Sequence, residues 1–130
     1  MTNDSPKVSV IIPHWNGIEI ISECLDSLAK TKFNSYEVIV SDNASTDGSQ
    51  KWLKENHHEV RLLENSKNYG YAGGCNRGSE IARGTFLLFL NNDTIQDLSW
   101  LEHLVNRIES NNEIAAVQPK ILNYFDNGIF

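Results

Sequence analysis

Short apolar runs alternate along this chain with segments in which apolar residues recur every three or four positions. Residues 8–12 carry an apolar run that ends at Pro13, which is typical of a strand covered on both faces. The stretch 18–30 has apolar side chains at i, i+3, i+7 and i+10, which predicts an amphipathic helix. The same two patterns then recur, with strands predicted at 36–40, 60–63, 85–90 and 114–117 and helices after Asp47, within 65–83 and after Ser99.

Glycines lie four residues apart in the segment 65–83, at Gly70, Gly74 and Gly78. This spacing places them along one side of a helix, where each glycine costs up to ~1 kcal/mol relative to alanine. We therefore expect close packing or a close ligand on that side of the helix to offset the cost of the glycines.

The order of the elements predicts one α/β domain over residues 1–130. Alternating strands and helices favour a mostly parallel sheet with helices on both faces and right-handed connections. The segment 85–90 is the most apolar of the chain and is expected to form a central strand. In such sheets ligands bind beyond the carboxyl ends of the strands, so the residues that follow each strand are the first candidates for chemistry.

Polar residues lie at or just past the ends of three predicted strands, at 13–17, 41–43 and 91–93. Each group taken alone also fits turn or helix-cap chemistry. Because the carboxyl ends of parallel strands meet at one edge of a sheet, the three groups are expected to face one crevice. Lys67 and Arg77 are further candidates, as contacts to an anion.

Two carboxylates at this edge have specific expected roles. Asp42 ends a predicted strand, where its oxygens can accept hydrogen bonds from a base or a ribose hydroxyl. Asp93 follows the most apolar strand, where an unpaired carboxylate is costly, which favours a divalent cation held together with ligand phosphates. One carboxylate with the amides of Asn91 and Asn92 suits Mg²⁺ or Mn²⁺, which keep water and phosphate oxygens as ligands. A helix cap is the alternative role for either aspartate.

Composition narrows the class of protein. The chain has 11 basic and 17 acidic residues and a net charge of −6, which argues against nucleic acid as a partner. Cys24 and Cys75 form no CxxC pair and fit a reduced compartment. The first residues lack an apolar leader, and no apolar run approaches the ~20 residues of a membrane span. We therefore expect a cytoplasmic protein without a transmembrane segment.

Four parts of the sequence together resemble the family-2 glycosyltransferases of the GT-A type. They are 8–17, with VSVIIP and WNG around one histidine, 37–49 (EVIVSDNASTDGS), 68–78 (NYGYAGGCNRG) and 86–94 (FLLFLNNDT). Their order and spacing resemble that family over about residues 8–122, and especially its rhamnosyltransferase-like members. The chain has no GxxxxGK[ST] and no GxGxxG after its first strand, which disfavours a P-loop NTPase and a dinucleotide oxidoreductase.

The resemblance implies a truncated, Rossmann-like GT-A fold in which this chain is the donor nucleotide-binding half and the acceptor half is absent. Asp93 matches the metal-binding carboxylate of the family, whereas Asn91 stands where many members have an aspartate. The catalytic base of inverting members lies later in the domain, so it is expected beyond residue 130. The residues implied to bind the nucleotide are Pro13, Asn16, Asp42, Asn68, Gly70, Asn76, Asn91 and Asn92.

For the whole protein, the resemblance implies metal-assisted, inverting transfer of a sugar from a nucleoside-diphosphate sugar to a carbohydrate or lipid-linked acceptor. Such a reaction belongs to polysaccharide biosynthesis and is compatible with peripheral association of the full protein with a membrane. The isolated chain is expected to bind a nucleotide and to transfer little or no sugar.

Two other classes stay open on the residues alone. A receiver-like signalling module needs carboxylates after the first strand, where there are none, and a late lysine, for which Lys120 is suitably placed. A nucleotidyltransferase needs basic residues in the loop after the first strand, and that loop has none. Separately, the apolar residues Ile129 and Phe130 prompt a hypothesis of self-association.

Overall fold

A computed structural model describes residues 5–126, so the self-association hypothesis on Ile129 and Phe130 lies outside the described residues. The described strands are all parallel, in the spatial order β3-β2-β1-β4, which confirms the predicted α/β class. In this part of the chain, no helix is long and apolar enough to cross a bilayer. The elements are β1 (Val8–His14), α1 (Ile18–Leu28), β2 (Tyr36–Asp42), α2 (Ser49–Asn56), β3 (Val60–Glu64), α3 (Gly70–Glu80), β4 (Phe86–Phe89) and α4 (Trp100–Glu109).

Helices cover both faces of the sheet, as the apolar pattern of β1 predicts. Side chains alternate between the two faces of a strand. Val10 and Ile12 pack in the main core with residues of α1, α2 and α4, among them Leu25 and Leu53. Ile11 points to the opposite face, where α3 lies against it. All of β1 is therefore buried.

The glycines of α3 allow this helix to lie unusually close to β1. A Cβ atom added at Gly78 would come within 2.5 Å of Ile11 Cγ2. One added at Gly74 would lie 3.0 Å from Pro13 Cβ and 3.1 Å from Asn43 Nδ2. A side chain has no room at Gly78 and would be tight at Gly74, so the close packing expected from the glycine spacing is confirmed at these two positions. A Cβ added at Gly70 would meet nothing within 4 Å.

Two sequence-based expectations about strands are wrong. Within residues 5–126, β4 lies at an edge of the sheet instead of its centre, and Leu87 and Phe89 are 47% and 49% exposed. Residues 114–117 form no strand and, together with β4 and α4, line an apolar groove of about 830 Å³. An apolar run becomes a strand only where a neighbour pairs with its backbone, and in the described chain none pairs with 114–117.

Candidate functional site

The loops after β1 and β2 are bonded to each other at the carboxyl edge of the sheet. The Asn16 backbone N–H donates to Ser45 Oγ over 2.8 Å, and Asn16 Oδ1 accepts from the Thr46 N–H, also over 2.8 Å. The Gly17 N–H donates to Asp47 Oδ2 over 2.6 Å. Asn16 has a φ of 55°, which turns the chain sharply towards the β2–α2 loop. The first two predicted polar groups therefore form one surface.

Asp42 is buried inside the turn that follows it. Its Oδ1 accepts from the Ser45 N–H over 2.9 Å and from Gln50 Nε2 over 2.6 Å, and its Oδ2 accepts from the Ser45 hydroxyl. The carboxylate has no exposed surface in this structure. It supports the β2–α2 turn here, and its expected hydrogen bond to a base stays a prediction.

Asp47 holds the beginning of α2. Its Oδ1 accepts from both the backbone N–H and the hydroxyl of Ser49. Burial alone would raise the pKa of Asp47, but the hydrogen bonds from Ser49 and from the Gly17 N–H outweigh it and lower the pKa to about 2. This carboxylate is therefore ionised at neutral pH.

His14, the last residue of β1, connects the third polar group to the other two. Its imidazole is buried, with Nε2 3.0 Å from Ser49 Oγ and Nδ1 3.0 Å from Asn92 Nδ2. Burial lowers the pKa of His14, and the charges of Asp42 and Asp47 only partly oppose this. The structure thus places all three polar groups at one edge, as predicted.

The loop after β4 is fastened to α1, and its acidic side chain stays in solvent. The Asn91 carbonyl accepts from Thr94 Oγ1 over 2.8 Å and from Cys24 Sγ over 3.7 Å. Gln96 Nε2 donates to Thr94 Oγ1 over 2.7 Å. Asn91 and Asp93 are both exposed. The loop therefore presents Asp93 from a backbone that is held in place.

Of the predicted residues on the glycine-rich segment, Asn68 and Gly70 lie at the start of α3, whereas Asn76 lies in its second half. Asn68 Oδ1 accepts from the Gly70 N–H over 2.8 Å, and both residues are exposed, as is Asn76. Lys67 Nζ and the Arg77 guanidinium lie 5.2 and 5.4 Å from the centre of the Tyr69 ring. Both candidate anion contacts therefore flank the same end of this helix.

The sequence analysis assigned no individual role to two buried amides at the same edge, Asn43 of the polar group 41–43 and Asn65. Asn43 Nδ2 donates to the Gly70 carbonyl over 3.0 Å, and Asn65 Nδ2 donates to Asn43 Oδ1 over 3.1 Å. Asn65 also donates to Ser41 Oγ over 2.9 Å. These amides fix the start of α3 against the end of β2. Asn43 directly follows Asp42, and this position after a buried strand is the one signal that pointed to it.

The donor set around Asp93 suits a cation that takes most of its ligands from elsewhere. Within residues 5–126, no group of three or more His, Cys, Asp and Glu side chains could hold a metal ion. Asp93 is flanked instead by the amides of Asn91 and Asn92. Mg²⁺ and Mn²⁺ commonly combine one or two carboxylates with water and phosphate oxygens. These residues therefore fit a cation shared with a diphosphate, and not a closed protein cage.

Sequence comparison finds relatives over almost the whole chain. The profile of glycosyl transferase family 2 matches residues 9–128. The Escherichia coli UDP-Glc:alpha-D-GlcNAc-diphosphoundecaprenol beta-1,3-glucosyltransferase WfgD is 32% identical over 110 residues, which cover 84% of this chain and 44% of that protein.

Solved structures with the same fold include two bound to nucleotides. Staphylococcus aureus TarS in complex with UDP superposes with a TM-score of 0.73 at 30% identity, over 82% of this chain and 33% of that one. The mannosyltransferase PcManGT of Pyrobaculum calidifontis, in complex with GDP-Man and Mn²⁺, gives a TM-score of 0.74 at 28% identity, over 79% and 32%. This chain thus spans less than half the length of each of these three relatives.

Proposed function

The chain belongs to glycosyl transferase family 2, and on that basis we propose that it binds the nucleotide of a nucleoside-diphosphate sugar as the donor half of a glycosyltransferase. One observation carries the proposal: His14 and Asn16 join the loops after β1, β2 and β4 at the carboxyl edge of the sheet. Ligands of open parallel sheets bind at this edge.

The nucleotide would lie between the joined loops and the start of α3. In this proposal Pro13 and Asn16 frame the nucleotide, and the Asp42 carboxylate bonds the base after the Ser45 or Gln50 group that covers it moves away. Three exposed residues of the glycine-rich segment line its opposite side: Asn68, Gly70 and Asn76. The GT-A structures with bound UDP and GDP-Man support a nucleotide as the class of ligand.

We further assign the diphosphate to the loop after β4. Asn91 and Asn92 offer amide groups to the nucleotide, and Asp93 would hold Mg²⁺ or Mn²⁺. When bound, the cation would neutralise negative charge on the diphosphate as the sugar leaves. The exposure of Asp93 and the Mn²⁺ in the related mannosyltransferase structure support this assignment.

For the whole enzyme we propose inverting transfer to a carbohydrate or lipid-linked acceptor, which the name of the WfgD relative supports. The general base is not assigned to Asp126, because its N–H and that of Phe125 bond to Asn123 Oδ1 in a turn. The isolated chain should therefore bind a nucleotide and transfer little or no sugar. The receiver-like alternative loses support. That class needs its late lysine at the end of a strand, whereas Lys120 lies in an irregular segment.

Calorimetric titration tests this proposal. The chain is titrated with UDP, dTDP and GDP, each with and without Mn²⁺, and the titrations are repeated on Asp93→Ala. We expect one nucleotide to bind more tightly with Mn²⁺ and the Mn²⁺-dependent gain to disappear in the variant. Asp26→Ala, which removes an exposed carboxylate within α1, is the matched control and should keep the gain.

Each result of the titration has a definite meaning. Binding to none of the three nucleotides contradicts the donor-site proposal. Binding whose Mn²⁺ dependence survives in Asp93→Ala keeps the nucleotide site and removes Asp93 from the metal. Efficient sugar transfer by the wild-type chain would contradict the assignment of the base to the part of the enzyme beyond this chain.

A further inference from the structure

The hydrogen bonds around His14 determine which ring nitrogen carries its proton. Ser49 Oγ donates its only proton to Asp47 Oδ1. The Ser49 oxygen is then left as an acceptor, so His14 Nε2, 3.0 Å away, must be the donor. Asn92 Nδ2 is an amide nitrogen that can only donate, so His14 Nδ1, 3.0 Å away, carries no proton and accepts from it. This chain of bonds fixes the tautomer.

The same chain of bonds restrains the loop that carries Asp93. A buried imidazole acceptor without a donor is costly, so Nδ1 holds the Asn92 amide in one orientation. On the other side of Asp93, Thr94 Oγ1 is bonded to the Asn91 carbonyl over 2.8 Å. The exposed Asp93 side chain therefore projects from between two anchored residues.

From this geometry we infer that His14 is a positioning residue, which orients Asn92 and thereby places the Asp93 carboxylate for the cation and diphosphate. The inference rests on the proposed function, since it assigns a role in that same site. His14 itself touches neither the cation nor the nucleotide in this arrangement. Ser49 and Asp47 act one step further away, by holding the imidazole in the tautomer that accepts from Asn92.

The tautomer is measured directly on the wild-type chain, without any ligand. Long-range ¹H–¹⁵N spectra distinguish a protonated from an unprotonated ring nitrogen, and His14→Phe identifies the His14 signals among the four histidines. We expect the proton on Nε2 and none on Nδ1. A proton on Nδ1 would overturn the inference, because that nitrogen could not accept from Asn92.

A double-mutant cycle then separates positioning from general destabilisation. His14→Phe keeps a ring of similar volume but removes both nitrogens. We expect it to weaken Mn²⁺-dependent binding of the nucleotide found by titration about 3- to 10-fold, the worth of one hydrogen bond. In an Asn92→Ala background the same change should have no further effect. Leu28→Ala is the control and should leave this affinity unchanged, because Leu28 is buried at the end of α1 beside Tyr36, the first residue of β2, at the other edge of the sheet.

The possible outcomes distinguish the two proposals. Equal losses from His14→Phe in both backgrounds overturn the positioning role and leave the nucleotide site intact. A loss that is equal with and without Mn²⁺ also overturns it, because the effect would not pass through Asp93. If the wild-type chain binds no nucleotide, the proposed function fails, and with it the assignment of His14 to that site, whatever the tautomer.

Discussion

Polar clusters lie at both edges of the sheet, and they differ in how their charge is balanced. At the amino edge the buried Glu37 accepts from Ser9 Oγ over 2.7 Å. It also accepts from the side chains of Arg61 and Arg83, each over 2.8 Å, and the Gly84 N–H closes the cluster on Ser9 Oγ. Two guanidinium groups thus pair with one carboxylate, and the cluster connects β1, β2 and β3 to the segment that leads into β4.

At the carboxyl edge the groups that donate to the two buried or capping aspartates, Asp42 and Asp47, are neutral. Asp42 and Asp47 receive backbone, hydroxyl and amide groups, and the side chains of Asn91 and Asp93 remain exposed. A polar cluster is structural where its buried groups satisfy one another's hydrogen bonds and its carboxylate is paired with basic side chains. It is a candidate binding site where exposed groups face solvent from an anchored backbone. Stability and ligand binding should therefore depend on opposite edges.

Glu37→Ala should have the largest effect on stability and none on binding. It leaves the Arg83 N–H and the Ser9 hydroxyl without their acceptor, and we expect a loss of about 3 to 4 kcal/mol in the free energy of unfolding. Urea denaturation measures the loss, and calorimetry checks that nucleotide affinity is unchanged. Glu80→Ala is the control, because Glu80 is exposed and its pairing with Arg77 is worth less than about 1 kcal/mol. Unchanged stability with weakened binding would reverse the roles of the two edges.

The same carboxylate should make the protein sensitive to acid. Burial alone would raise the pKa of Glu37, but hydrogen bonds from Ser9, Arg83 and Arg61 outweigh it and lower the pKa from 4.5 to about 2. Below pH 4.5 the unfolded chain takes up a proton before the folded one does. The contribution, about 2 to 3 kcal/mol, is therefore complete above pH 4.5 and lost as the pH falls to about 2.

Urea denaturation at a series of pH values checks this dependence. Glu37→Ala should unfold with a shallower pH dependence below pH 4.5 than the wild-type chain. The remaining slope should come partly from Asp47, whose pKa is also lowered to about 2. Identical slopes in the variant and the wild type would show that the amino-edge cluster does not stabilise the ionised carboxylate.

Gly78→Ala should cost about 1 to 3 kcal/mol, because its Cβ would lie 2.5 Å from Ile11 Cγ2 in a close-packed core. The sign of this change in stability is informative, because the same substitution would stabilise an isolated helix by up to ~1 kcal/mol. Gly74→Ala should cost less stability, because its nearest neighbours are 3.0 Å or more away. It should instead weaken nucleotide binding by displacing Asn43. Urea denaturation and calorimetry of both variants check the contrast, which a stabilised Gly78→Ala would contradict.

The sequence predicted those features that a local pattern determines. The apolar runs identified four strands, and the glycine spacing indicated the close approach of α3 to β1. The position of β4 was wrong, because an apolar run does not state how many neighbours pair with it. Residues 114–117 have the composition of a strand but no partner in the described chain.

Within the candidate site, polar groups at strand ends were predicted from one rule about parallel sheets. The bonds among them were not, because they join residues far apart in the sequence: Asn43 with Gly70, and His14 with Asn92. Amides in turns have the same local pattern whether or not they hold a distant element. Likewise, no local pattern distinguishes the buried Asp42 from the exposed Asp93, because Asp42 is the last residue of one apolar strand and Asp93 closely follows another.

Asp93→Asn should have the smallest effect on stability of these variants. This small effect distinguishes Asp93, assigned to binding, from Asp42, which supports the fold. Because Asp93 is exposed, we expect the free energy of unfolding to change by less than about 0.5 kcal/mol. Asp42→Asn should cost about 1 to 2 kcal/mol, since the amide nitrogen that replaces Oδ2 cannot accept from the Ser45 hydroxyl. Urea denaturation compares the two variants under one buffer. If Asp93→Asn were the more costly variant, the Asp93 carboxylate would stabilise the fold. The distinction between a structural edge and a binding edge would then be wrong for the residue that we assign to the cation.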